Sequence, residues 1–213
     1  MQTVERYRTR AIIHHWWIVV WALLLGLTGI FLFVPWFSPA AAGGWSRLAH
    51  RISAVLFVAG PVIYALFNSK NTLQWIKETL TWKKADLGWL KAAPSYYFGS
   101  DAVPMPPQER SNTGQKLWML VALTAGMIFV ITGAIMWFFK DTVSAGVFQW
   151  SVFVHDLAFI FAGSMFLVHV ALGAFHPRFP EALRSMITGK VSREYAQSHH
   201  GKWYEEISNK EKN

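Results

Sequence analysis

The sequence predicts an all-α integral membrane protein, a four-transmembrane-helix bundle with one cytoplasmic amphipathic helix. Three observations predict it. Four apolar runs, at residues 16–34, 48–67, 117–139 and 147–175, are each near or above the ~20 residues that cross a ~30 Å hydrocarbon core. Over 213 residues the chain is 53% hydrophobic and 15% charged, a polytopic membrane composition rather than a soluble one. Seventeen of its twenty Lys and Arg residues fall before the first run, between the second and third, or after the fourth.

The first run follows Arg6, Arg8 and Arg10. It is too long for a signal-peptide core and has no small-residue cleavage site close behind it, so it is expected to be a retained span. The second run reaches spanning length only with its polar start at residues 48–51, which contains His50, and Gly60-Pro61 should kink it because proline removes a backbone donor. In the connection at 68–116, Trp75, Trp82 and Trp89 recur every seven residues among Lys77, Lys83, Lys84 and Lys91. That pattern predicts an amphipathic helix at the headgroups, followed by a turn-rich stretch over 94–107. The third and fourth runs carry Gly126, Gly133 and Gly163, small residues that let membrane helices approach closely. A basic tail, 176–213, follows. Residues 1–213 are thus expected to form one membrane domain.

Charge predicts the orientation. By the positive-inside rule, both termini and the 68–116 connection lie in the cytoplasm, and the loops at 35–46 and 140–146 lie outside. The formal charge of +8 is then accounted for by topology and membrane lipid, and no nucleic-acid partner is needed to explain it. Cysteine is absent, so the chain brings no disulfide, no iron–sulfur cluster of its own and no thiolate ligand.

Ionisable groups inside a membrane are costly and usually functional, and topology sorts four histidines into two pairs. His15 and His169 lie toward the cytoplasmic side, and His50 and His155 toward the outer side. His155 and His169 are fourteen residues apart, a separation of ~21 Å that stops only ~40° short of four full turns, so both face the same side of one helix. Paired imidazoles at matched depth are what a six-coordinate haem iron takes as axial ligands. The pattern therefore predicts two haems b, held by His15 with His169 and by His50 with His155. His14 points about 100° away from His15, and His176 rivals His169 by depth. His199 and His200, in the polar tail, are expected to be solvated or to relay protons. The fragments Leu27-Thr28-Gly29-Ile30 and Ile131-Thr132-Gly133-Ala134 resemble each other and suggest a duplicated helix pair. A haem-free transporter would show inverted repeats or broken helices, and the sequence has no such pattern.

Several strings carry a more specific resemblance. They are His15-Trp16 followed by Leu27-Thr28-Gly29-Ile30, Arg47-Leu48-Ala49-His50, Asn112-Thr113-Gly114-Gln115-Lys116, the His155 to His169 spacing, and Gly189-Lys190-Val191-Ser192-Arg193 followed by His199-His200-Gly201-Lys202-Trp203-Tyr204. Together they resemble the gamma subunit, the cytochrome b, of the membrane-bound respiratory formate dehydrogenases, over essentially the whole chain. The resemblance implies that His50 and His155 ligate an outer haem and His15 and His169 an inner one. It implies a site for quinone (menaquinone or ubiquinone) at the cytoplasmic face, near Asn112, Gly114, Gln115 and His169. It further implies the bacterial inner membrane, an iron–sulfur beta subunit and a molybdenum or tungsten catalytic alpha subunit as partners, with a higher oligomer of such heterotrimers as an associated expectation. Formate oxidation would then occur on the partner, and this chain would carry electrons to quinone. Arg51 and Asp156, next to two of the histidines, depart from the family's more apolar or proline-containing pattern. The cytochrome b subunits of nickel–iron hydrogenases and of thiosulfate or polysulfide reductases share the two-haem logic and are the alternative reading.

Overall fold

The computed structural model describes residues 2–37, 39, 41, 44–99 and 103–212. Among them, four helices are long and apolar enough to cross a membrane: α1 (Thr9–Phe33), α2 (Trp45–Phe67), α5 (Thr113–Phe138) and α6 (Ala145–Val170), the last continued by a π-helical turn at Ala171–Phe175. Each span begins two to seven residues before its apolar run, because a helix extends through polar residues until a cap or a turn stops it. Along the spans, large apolar side chains such as Leu27, Val55, Ile63, Ile131 and Phe161 are exposed. Such surfaces call for hydrocarbon as the solvent.

The described residues divide into two units. One comprises Arg10–Thr72 and Ala122–Met165, which holds α1, α2 and most of α5 and α6. Its helices pack through close approaches at glycine. A Cβ at Gly60 would lie 2.6 Å from the Trp17 Nε1, and that indole N–H donates to the Leu56 carbonyl at 2.8 Å. The indole therefore lies across the turn that precedes Pro61, where the helix lacks one of its own donors. His14 stacks on Tyr64 with ring centroids 4.3 Å apart, a second contact between α1 and α2.

The other unit comprises Met1–Thr9, Leu73–Val121 and Phe166–Asn213. The expected single amphipathic helix is two helices, α3 (Ser69–Leu80) and α4 (Lys84–Phe98). The Trp heptad crosses the break: Trp75 lies on α3, Trp82 in the break, and Trp89 is buried on α4. Asp86 causes the restart, since its carboxylate accepts from the Lys83 N–H at 2.7 Å while its own N–H donates to the Lys83 carbonyl at 2.9 Å, satisfying helix-terminal groups that would otherwise be orphaned.

The basic tail also folds. It forms α7 (Pro180–Thr188), β2 (Lys190–Ser192), α8 (Arg193–His199) and α9 (Gly201–Lys212). Strand β1 (Thr3–Glu5) pairs antiparallel with β2, with Val4 opposite Val191. Both valines are buried with Tyr195, Ala196 and Trp203. Arg6 and Arg110 each donate to the other's backbone carbonyl, at 3.0 and 2.8 Å, which ties the N-terminal strand to the segment before α5.

His200 is not solvated. It is buried, and its Nδ1–H donates to the Glu109 carbonyl at 2.9 Å. Burial, aided by the Arg6 charge, holds its pKa well below the usual 6.5. The folded state thus keeps His200 neutral while the unfolded chain takes up a proton below about pH 6.5, so stability falls as pH drops through that value, by at most about 1.4 kcal/mol per pH unit. Protection factors over residues 190–212, which normalise for the intrinsic pH dependence of amide exchange, should fall between pH 7 and pH 5. His200→Asn, which keeps an amide donor for Glu109, should remove most of that fall, and an unchanged acid response in this variant would refute the assignment.

Candidate functional site

In the helical unit, two histidines are presented by two copies of one arrangement. Thr28 on α1 donates its hydroxyl proton to the Leu24 carbonyl at 2.7 Å, and its Oγ1 lies 3.0 Å from the His50 Nδ1 on α2. Thr132 on α5 donates to the Ile128 carbonyl at 2.6 Å, and its Oγ1 lies 2.8 Å from the His155 Nδ1 on α6. A carbonyl can only accept, so each threonine proton is committed to the backbone and each threonine oxygen must accept from Nδ1–H. Both imidazoles are thereby the Nδ1–H tautomer, with the lone pair on Nε2. Next to each threonine a glycine leaves room for the ring: a Cβ at Gly29 would sit 3.7 Å from the His50 Cε1, and one at Gly133 would sit 4.0 Å from the His155 Cε1.

The His50 and His155 ring centroids are 6.3 Å apart, with the planes 60° from parallel. An imidazole nitrogen binds a first-row metal at ~2.0–2.1 Å, which places two rings on opposite sides of one ion with centroids about 6 to 6.5 Å apart. Separation, tautomer and glycine clearance all fit a bis-imidazole haem site. Phe129 meets His155 edge-on at 5.0 Å, and Arg51 lies 5.2 Å over the Trp137 ring.

His15 and His169 fall in different units. His15 meets Trp16 edge-on, and its buried Nδ1 has no hydrogen-bond partner among the described residues. His169 stacks on Trp118, with centroids 4.7 Å apart and planes 12° from parallel. His176, the rival by depth, has both ring nitrogens engaged: Nδ1 accepts from the Arg178 N–H at 3.3 Å and Nε2 donates to the Tyr97 carbonyl at 3.2 Å. His199 likewise places Nε2 3.1 Å from the Arg178 carbonyl and Nδ1 3.3 Å from that of Tyr195.

At the start of α5, Asn112 and Gln115 form a reciprocal cap. The Gln115 N–H donates to the Asn112 Oδ1 at 2.9 Å, and the Asn112 N–H donates to the Gln115 Oε1 at 3.0 Å. This is the capping-box geometry with Asn and Gln in the roles of cap and third residue. The cap uses the two amide oxygens, so the two NH2 groups are the donors this end of α5 can offer a ligand. A Cβ at Gly114 would meet the Trp89 ring at 2.9 Å, so the glycine is required by packing. Trp118 stands one turn beyond Gly114 and Gln115, and through it His169 reaches the same end of α5.

One cluster was not anticipated from the sequence. Lys116 is buried and donates to both carboxylate oxygens of Asp86 at 3.1 and 3.2 Å, while Thr113 donates to Oδ1 at 2.7 Å. Burial alone would raise the Asp86 pKa, but the Lys83 N–H, Thr113 and Lys116 together bring it below the usual carboxylate value. The carboxylate is therefore charged at neutral pH and fully bonded. Spacing could not reveal it, since the partners are thirty residues apart.

A model of the prokaryotic cytochrome b561 family matches residues 6–189. The cytochrome b556(Fdn) subunit of the nitrate-inducible formate dehydrogenase of Escherichia coli K12 is 27% identical over 209 residues, covering 92% of this chain and 88% of the relative. The formate dehydrogenase cytochrome b556 subunit of Haemophilus influenzae is 25% identical over 219 residues, covering 95% and 83%. The cytochrome b556(fdo) subunit of Escherichia coli K12 is 25% identical over 100 residues, 46% of each chain.

Lys116→Met should be among the most damaging substitutions at this end of α5, because it leaves Asp86 buried without its cation at a cost of ~3–5 kcal/mol. The double variant Asp86→Asn with Lys116→Met should recover a large part of that loss in a thermal unfolding measurement in detergent. Equal losses in the single and double variants would show that the pair does not act as a unit.

Proposed function

This chain belongs to the prokaryotic cytochrome b561 family, and on that premise we propose that it is the dihaem membrane subunit of a formate dehydrogenase that delivers electrons to quinone at the cytoplasmic face. The observation that carries this reading is the pair His50 and His155, two imidazoles of matched tautomer 6.3 Å apart inside a membrane bundle. The names of the full-length relatives supply the partner enzyme.

His50 and His155 hold the outer haem through Nε2. His15 and His169 hold the inner one, an assignment that rests on their depth in the sequence. When bound, the haems supply one-electron carriage across the membrane, with potentials set by axial ligands and surroundings. The partners are an iron–sulfur subunit at the outer face and a molybdenum or tungsten subunit that oxidises formate, assembled as heterotrimers in the bacterial inner membrane. The excess of basic residues on one side supports both termini lying in the cytoplasm. Menaquinone or ubiquinone binds at the start of α5, near Asn112, Gly114 and Gln115 and, through Trp118, His169. There the amide NH2 groups donate to a quinone carbonyl, Gly114 lets the Trp89 ring pack against this end of α5, and protons enter from the cytoplasm. Moving two electrons inward across ~21 Å of a ~30 Å core works against roughly 3 kcal/mol per 100 mV of membrane potential, so the reaction stores energy when the donor has a low potential.

The test must separate ligand binding from helix capping, and acidic isosteres do so. Asn112→Asp and Gln115→Glu keep the capping oxygens and lose the NH2 donors. In the purified complex, formate should still reduce the haems of both variants at the wild-type rate, while re-oxidation by quinone slows by the equivalent of ~1–3 kcal/mol, a factor of roughly 5 to 150. Wild-type re-oxidation in both variants, with loss of exchange on substituting Arg51 or Asp156, would place the quinone at the outer face and overturn the proposed direction. Orientation is checked by cysteines at Asp141 and Gln197, both exposed: the first should label from outside, the second only after permeabilisation.

A further inference from the structure

The two Thr–Gly pairs are related in sequence, position and contact. Thr28 and His50 are 22 residues apart, and Thr132 and His155 are 23 apart. In each half the first helix supplies a buried threonine and the following helix supplies the histidine. Neither threonine hydroxyl is available as a donor to its imidazole, because each is already bonded to a carbonyl one turn back. In hydrocarbon an unpaired Nδ1–H costs several kcal/mol, so each threonine oxygen holds its ring against rotation about χ2 as well as fixing the proton.

We propose that Thr28 and Thr132 are positioning residues for the electron-transfer centre between His50 and His155, acting in duplicate to set ligand orientation and to lower its reduction potential. The proposal deepens the functional reading above and rests on its assignment of that histidine pair. An acceptor on Nδ1–H shifts electron density toward Nε2 and raises ligand basicity. A more basic imidazole favours the ferric state over the ferrous, so the two bonds together lower the potential. The arrangement favours electron release from the outer centre, and it gives the resemblance between residues 27–30 and 131–134 a chemical purpose.

The experiment uses the detergent-solubilised holo-complex and a potentiometric titration, with the outer haem identified as the signal lost in His155→Ala. Thr28→Val and Thr132→Val remove the oxygen at nearly constant volume, and Thr28→Ser and Thr132→Ser retain it. The valine variants should raise the outer midpoint potential and alter the low-spin EPR g-values of that haem only, the double valine variant should shift it further, and the serine variants should match wild type. Loss of the outer haem in the valine variants with retention in the serine variants would support the same role. A valine variant that keeps the haem at the wild-type potential and g-values would overturn the proposal, as would serine variants that behave like valine. If the wild-type complex lacks any signal that depends on His155, the functional reading itself fails, and that result is distinct from every threonine outcome.

Discussion

The structure depends on one constraint: a polar group in hydrocarbon must find its partner within the protein. On the four spans this decides where side chains go. Thr28 and Thr132 turn their protons back onto their own helices and offer their oxygens to His50 and His155. Trp17 gives its indole N–H to a carbonyl of α2 next to the proline-interrupted turn. Two imidazoles end up with one nitrogen spent on the protein and the other left with a lone pair. Satisfying the protein-facing nitrogens leaves the other two lone pairs to the proposed haem, and glycine at Gly29 and Gly133 supplies the space beside the rings.

At the start of α5 the same need is met by charge. Helix α5 begins with polar residues at the edge of an apolar span, and its orphan N–H groups are taken by the Asn112 and Gln115 side chains. Directly beneath, Asp86 binds Lys116, Thr113 and the first turn of α4. A buried ion pair of this kind adds little net stability over apolar packing, but removing one member is severe. It fixes how α4 meets α5, and with it the position of Trp89 against Gly114. The residues proposed to meet quinone therefore stand on a rigid base, and their side chains carry a capping role that any mutational test must preserve.

Much of this was legible in the sequence, and what was not has a physical reason. The four spans follow from apolar length, and the pairing of His50 with His155 follows from depth along those spans. The Thr–Gly echo was visible as a similarity, but its target was not, since sequence periodicity does not say which neighbouring helix a side chain meets. The heptad of tryptophans misled because spacing cannot detect a helix restart set by one carboxylate, Asp86. The fold of the tail is hidden in the sequence because its buried residues, Val191, Tyr195, Ala196 and Trp203, are few and find their core partner in Val4, almost two hundred residues away. The burial of His200 is hidden for the same reason.

The central claim is that this chain binds haem through its histidines in two separate pairs. A pyridine haemochrome assay of the purified protein, calibrated against amino-acid content, measures it most directly. The account predicts two haems b per chain, falling to one in either His50→Ala or His155→Ala and to one, with the other spectrum lost, in His15→Ala. A wild-type value of zero, or two haems retained in the His155→Ala protein, would contradict it.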